Sequence, residues 1–228
     1  MTRHGSLEVL LAQLQLTDSG FPGGLYTLSH GLEGFAQLGA IPDGLVADLV
    51  HAAGTADAAA LALTHRAVSA GDWDLVAETD RRLHAVKLNR EQRTASVRTG
   101  RQVLNTAGEA FGPGPAAHLA DLVARGSAPG NHAVVVGTIH AGLGVPVEHA
   151  VASDLFAFAA GCAAAAVRLG RIDFRQAQRL LRDVRPDVAR AASVALAAQD
   201  PRDLHSSAPV ADAVSTAHER AEARLFFT

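Results

Sequence analysis

The sequence predicts an all-α protein, a single compact domain of roughly ten helices. Two observations carry that expectation. Of its 228 residues 48% are hydrophobic but only 4% are aromatic, and alanine is the commonest residue type. Alanine has the highest intrinsic helix propensity and lets helices approach closely. Runs of β-branched and aromatic residues bounded by turns, the mark of strands, are nearly absent. A chain of this length can enclose one sizeable core.

The elements follow in order. Leu7, Leu10, Leu11, Leu14 and Leu16 share one face of a first helix, which Asp18-Ser19 and the Pro22-Gly23-Gly24 turn then break. A short helix restarts after Ser29, a suitable N-cap with Glu33 in its first turn. Pro42-Asp43 opens the next, with Leu45, Leu49 and Ala52-Ala53 inward. Ala56 to Ala70 and Asp72 to Leu88 form an antiparallel pair joined at Ala70-Gly71. Glu91 to Ala110 carries a basic stripe of Arg90, Arg93, Arg98 and Arg101 beside Val97, Val103 and Leu104. Gly112-Pro-Gly-Pro115 is the clearest breaker, followed by a helix to Val123, a loop from Arg125 to Gly130 and a helix from Asn131 to Leu143. Pro146 starts a long alanine-rich helix that ends at Gly170. Asp173 caps another running towards Gln199, with Pro186 as a kink or break. Residues 200–228 read as a polar linker and a final helix that begins at Pro209 and stays apolar through Leu225-Phe226-Phe227.

Composition excludes several classes of function. Net charge is −3 with a pI near 6.4, so no global basic field favours nucleic acid. The single cysteine, Cys162, excludes an internal disulfide framework and any multi-cysteine zinc site, and reads as a small buried hydrophobe in a cytoplasmic protein. Met1-Thr-Arg-His lacks the apolar core of a secretory leader. The longest apolar run, Leu155 to Val167, is 13 residues, below the ~18 expected of a membrane span, and predicts a buried core helix.

Catalytic signatures are missing too. Lys87 is the only lysine and no Gly-x-x-x-x-Gly-Lys-Ser/Thr loop surrounds it, so the chain is not itself a P-loop GTPase. Eleven histidines include no His-Glu-x-x-His. His132 and His140 share a helix face but stand roughly 12 Å apart along it, too far for one metal. Asp18, Ser19 and His30 lack a nucleophile elbow, so Asp18 and Ser19 are read as turn or helix caps. Surfaces remain. Ala157, Gly161 and Ala165 line a narrow face, fit for a tight internal crossing or a dimer contact. Arg168, Arg171, Arg175, Arg179 and Arg182 form a basic band, and the amphipathic end around Arg224-Leu225-Phe226 suits a partner's groove.

Four blocks together carry a resemblance. They are Asp18-Ser19 through Pro22 and Gly24 to Ser29-x-Gly31-Leu32-Glu33; Gly130 to Gly137; Arg168 to Leu181, which includes Gln176; and Pro209-x-x-Asp212 through His218-Glu219 to Arg224-Leu225-Phe226. In this order they resemble the urease accessory protein family UreF. The resemblance implies a helical, commonly dimeric, non-enzymatic scaffold. Such a scaffold binds the accessory protein UreD (UreH in some species) and the GTPase UreG, in an assembly that delivers nickel to apo-urease. It implies no catalytic residue, no metal-ligand set and no tightly bound cofactor here; nickel is handled by the complex and GTP is bound by the partner. Partner contacts are expected at Asp18, Ser19, Pro22, Gly24, Ser29, Gly31, Leu32 and Glu33, and at Pro209, Asp212, His218, Glu219, Arg224, Leu225 and Phe226. Arg168 and Gln176 are expected on a dimer or GTPase face. The alternatives are a nickel-binding carrier, a regulator of UreG turnover, or a helical enzyme with an unrecognised pocket. The chain departs from the family where His132-Ala-Val replaces the usual His-x-Pro-Val and where it ends Phe227-Thr228.

Overall fold

Within the described residues the breaks read in the sequence become helix boundaries. The computed structural model describes residues 3–39 and 41–206, together with 214, 225 and 226. Among the described residues the helices are α1 Arg3–Thr17, α2 Leu32–Gln37, α3 Leu45–Thr55, α4 Asp57–Ala70, α5 Trp73–Val86 and α6 Arg90–Phe111. The rest are α7 Pro115–Ala124, α8 His132–Gly142, α9 Val147–Arg168, α10 Phe174–Asp183 and α11 Arg185–Ala197, with short 3-10 turns at Leu25–Thr27 and Pro201–Asp203. No strand occurs among the described residues, and the helices form one compact domain.

Local chemistry sets several starts. Asp72 accepts the Leu75 N–H at 3.0 Å at the head of α5, and Asn89 accepts those of Glu91 and Gln92 at the head of α6. Asp173 and Gln176 exchange 2.7 Å bonds in a capping box that opens α10. Of the two outcomes expected at Pro186, a kink or a break, the structure takes the break, with α10 ending at Asp183 and α11 starting at Arg185. One expectation changes. The N-cap position of α2 is Gly31 (φ 87°) rather than Ser29, although the Ser29 hydroxyl still accepts the Glu33 N–H at 3.3 Å. A left-handed backbone at His30 and Gly31 leaves the serine two residues ahead of the N-cap.

The core centres on α4 against α8, enclosed by α3, α5, α6, α9 and α11. In α4 the run Ala58 to Leu63 is buried on every side, as are Val134 and Val135 of α8. A Cβ on Gly137 would lie 2.8 Å from the Leu61 carbonyl, so glycine sets the depth of that crossing. The segment after α11 is fastened rather than free: Leu204 is fully buried, Arg82 donates to its carbonyl, and the His205 N–H reaches Thr55. Arg66 adds bonds to the carbonyls of Leu196 and Ala198.

Apolar length needs a correction. Val147–Arg168 (mean hydropathy 1.8) and Leu45–Ala70 (1.3) are each long and apolar enough to cross a membrane by length and composition. The 13-residue run understated the first because single charged residues interrupt it. Within the domain their apolarity serves helix-on-helix packing, α9 against α3, α4, α10 and α11.

Candidate docking surfaces and the fastened tail

The N-terminal motif divides into two places. Its first half is a surface turn: Asp18 accepts the Gly20 N–H at 2.7 Å through its side chain and the Phe21 N–H through its carbonyl. Ser19 and Pro22 are exposed beside it. The turn lies on α6, with Gly23 against Val103 and Gly24 (φ 75°) beside Thr99 and Gln102. Arg98 of α6 ties it down through Thr27 Oγ1 at 2.8 Å. Asp18 is therefore the turn-former that the sequence predicts.

The second half faces α9. Ser29 and Leu32 are fully buried, and the His30 ring lies over Phe158 with centroids 4.5 Å apart. His30 Nε2 would be 3.2 Å from a Cβ at Gly161, so the small residue there admits an internal neighbour. Of the two readings left open for that stripe, Gly161 thus takes the internal crossing, and Ala165 is buried as well.

Glu33 then joins the N-terminal motif to the C-terminal one. It is 5% exposed, and its carboxylate oxygens accept the backbone N–H groups of Leu225 at 2.7 Å and Phe226 at 2.9 Å. Phe226 is buried, with the Arg168 guanidinium 4.2 Å from its ring centroid. Charge-assisted bonds to backbone donors and a cation–π contact make this a clasp. Arg171 supports it by donating to the Ala36 carbonyl at 2.7 Å, pinning α2 beside α9. The structure thus gathers Ser29, Gly31, Leu32, Glu33, Arg168, Leu225 and Phe226 in one place. Gln176 stands apart, exposed and engaged in its capping box. Pro209, Asp212, His218, Glu219 and Arg224 lie outside the described residues.

A second feature is the leucine face of α1. Leu7, Leu10, Leu11 and Leu14 are 47–57% exposed, and only Leu16 enters the core. The apolar face expected of this helix exists, but it points outward. Four leucines exposed at helical spacing make this face a candidate docking surface.

Several ionisable groups are wholly or partly buried. His132 Nε2 is 3.9 Å from Asp154 Oδ1, and Lys87 pairs with Asp57 at 2.6 Å. Burial pushes His30 and His132 down to about 4 and Asp154 up to about 7, with the Asp57 charge adding to the latter. The Cys162 thiol is pushed up to about 12, which leaves it an inert hydrophobe. Among the described residues no three His, Cys, Asp or Glu side chains converge on one metal position.

Two structural residues are absent from the motif reading. Asp80, fully buried, accepts the N–H groups of Gly130 (2.6 Å) and Asn131 (3.0 Å) and the Asn131 amide (2.6 Å). This carboxylate supplies acceptors to the N-terminal end of α8. Gly100 lets α6 reach the same loop, since a Cβ there would lie 2.1 Å from the Gly130 carbonyl. Asp80 was detectable as a lone acid on the otherwise apolar Val76-Ala77-Thr79-Leu83 face.

These features define an all-helical protein distinguished by exposed faces and a fastened C-terminal end. A sequence model of UreF matches residues 42–185, more than half the chain. The urease accessory protein UreF of Paenarthrobacter aurescens is 33% identical over 224 residues, covering 96% of this chain and 97% of that protein. Urease accessory protein UreF 2 of Brucella canis is 29% identical over 226 residues (97% and 93%), and the UreF of Yersinia pestis 26% over 222 (95% and 97%). The chain belongs to the UreF family, and its role lies in urease maturation.

Proposed function

We propose that the protein is a non-catalytic scaffold that bridges UreD (UreH) and the GTPase UreG, supporting GTP-dependent nickel insertion into apo-urease. The observation that carries this reading is the clasp of Glu33 and Arg168 on Leu225-Phe226. It holds Leu225 and Phe226 against the N-terminal motif and leaves the Leu225 side chain exposed for a partner to cover. The exposed leucine face of α1 offers further apolar area that a partner contact would cover. In this reading the protein works as a cytoplasmic homodimer. Nickel passes through the complex, GTP stays with UreG, and the scaffold acts by coupling binding free energies rather than by chemistry.

The test is co-purification of the full-length chain with its cognate UreD and UreG, beside a version ending at Ser206 that keeps the buried Leu204 and the His205 tie, with stoichiometry from light scattering. A three-protein complex formed by the intact chain and lost with the tail supports the scaffold. Failure of the intact chain to bind either protein rejects it.

A further inference from the structure

The outer face of α6 is a cationic trough. It has a volume of about 830 Å³ and is lined by Arg90, Arg93, Thr94, Arg98, Arg101 and Asn105 among others, with no acidic side chain in its lining. The trough continues into the recess beside the Gly23-Gly24 turn, with which it shares Arg98 and Gln102. From Arg90 to Asn105 the stripe runs roughly 22 Å along the helix at the α-helical rise.

The arginines are of two kinds. Arg93 is held by the carbonyls of Lys87 and Leu88, and Arg98 by Thr27. Their guanidinium groups are fixed before any partner arrives, which lowers the ordering cost of binding. Arg90 and Arg101 are exposed, and among the described residues neither has an acceptor. This positive surface belongs to a chain of net charge −3, so it is a local arrangement rather than a general field.

We infer that this trough docks an acidic polypeptide segment, a partner helix that presents carboxylates along one side. Guanidinium forks bind carboxylates in bidentate fashion, and successive helical turns of a partner repeat at the spacing of the stripe. Among the described residues no Phe, Tyr or Trp lines the trough and His84 is its one ring, so it lacks the row of stacking platforms used to hold single-stranded nucleic acid. The trough is separate from the clasp, and the inference does not rest on the urease reading.

The experiment is fluorescence anisotropy with the full-length chain and a labelled helical peptide of about 15 residues, long enough to follow the stripe. The peptide carries Glu at every helical turn, and a Gln-substituted peptide and a single-stranded DNA oligonucleotide of similar length serve as competitors. Expected is binding at low ionic strength that weakens with salt. It should weaken by at least ~10-fold, equivalent to 1.4 kcal/mol, in Arg90→Glu/Arg101→Glu. The charge-matched variant Arg125→Glu/Arg185→Glu, at exposed positions elsewhere, should bind as the parent does. Arg90→Gln/Arg101→Gln, judged at unchanged melting temperature, separates loss of the site from loss of the fold. The inference is overturned if the peptide fails to bind at low salt, if both charge-swap variants weaken it equally, or if the oligonucleotide is preferred.

Discussion

Asp80 and Glu33 are two buried carboxylates with the same task and different stakes. Each turns both oxygens toward consecutive backbone N–H groups, Asp80 toward Gly130 and Asn131, Glu33 toward Leu225 and Phe226. Asp80 sits where α5, α6 and the start of α8 meet, and its donors belong to the inner scaffold. Glu33 sits at the rim, and its donors belong to the last residues of the chain. Equivalent chemistry can therefore maintain the fold in one place and hold a detachable end in another. What decides is how much of the molecule depends on the backbone being held.

The sharpest way to break this comparison is to remove each acid. Asp80→Ala leaves three buried donors without an acceptor and should cost about 3–5 kcal/mol in urea unfolding. Glu33→Gln should cost about 1 kcal/mol or less, because the tail can release its donors to water. If the two losses were equal, the tail would be part of the cooperative core. Gly100→Ala comes next after Asp80→Ala: its methyl would press the Gly130 carbonyl and force α6 from α8, destabilising by about 3 kcal/mol.

A pH series tests the buried polar interior without mutation. His30, His132 and His140 are held near 4 by burial, against an ordinary 6.5, and His65 is lowered as well. Between about pH 4 and 6.5 the unfolded chain binds more protons at these groups, so their contribution raises stability as pH rises. Asp154, raised from 3.8 to about 7, acts in the opposite sense by keeping a proton in the folded state over that range, and burial shifts Asp80 in the same direction. Four histidines against two acids predict a net gain from about pH 4 to 6.5, then a small loss towards 7. Urea midpoints across that range check it, and a flat or inverted curve would contradict the neutral state of these histidines.

Smaller effects separate the clasp from the fold. Glu33→Gln should speed amide hydrogen exchange at Leu225 and Phe226 while leaving α8 protected. Replacing Leu10 and Leu14 with serine should shift stability by no more than about 0.5 kcal/mol, since both are half exposed. The same change should weaken capture of the accessory partner if the α1 face is its seat.

Much of this architecture was legible in the residues. Asp72, Asn89 and Asp173 carry short-range cap chemistry that works wherever the helix goes, and Gly71 and Pro115 mark the turns with local backbone preferences. The two end motifs could be recognised as a pair, but nothing local says that Glu33 touches Phe226 across 193 positions. The leucines of α1 show a related limit. Their spacing announces an apolar face, but periodicity has no information about whether that face meets the core or the solvent.

The sequence by itself determined the helical class, the positions of the breaks, the inert single cysteine and the membership suggested by four ordered blocks. Those properties depend on intrinsic propensity, capping and residue type, all of which act within a few residues. Only the tertiary structure decided that the first motif divides between α6 and α9, that Asp80 holds the head of α8, and that Leu225 and Phe226 close on Glu33 of α2. Those contacts join residues tens to nearly two hundred positions apart. Their partners are chosen by the packing of whole helices, which no local pattern encodes.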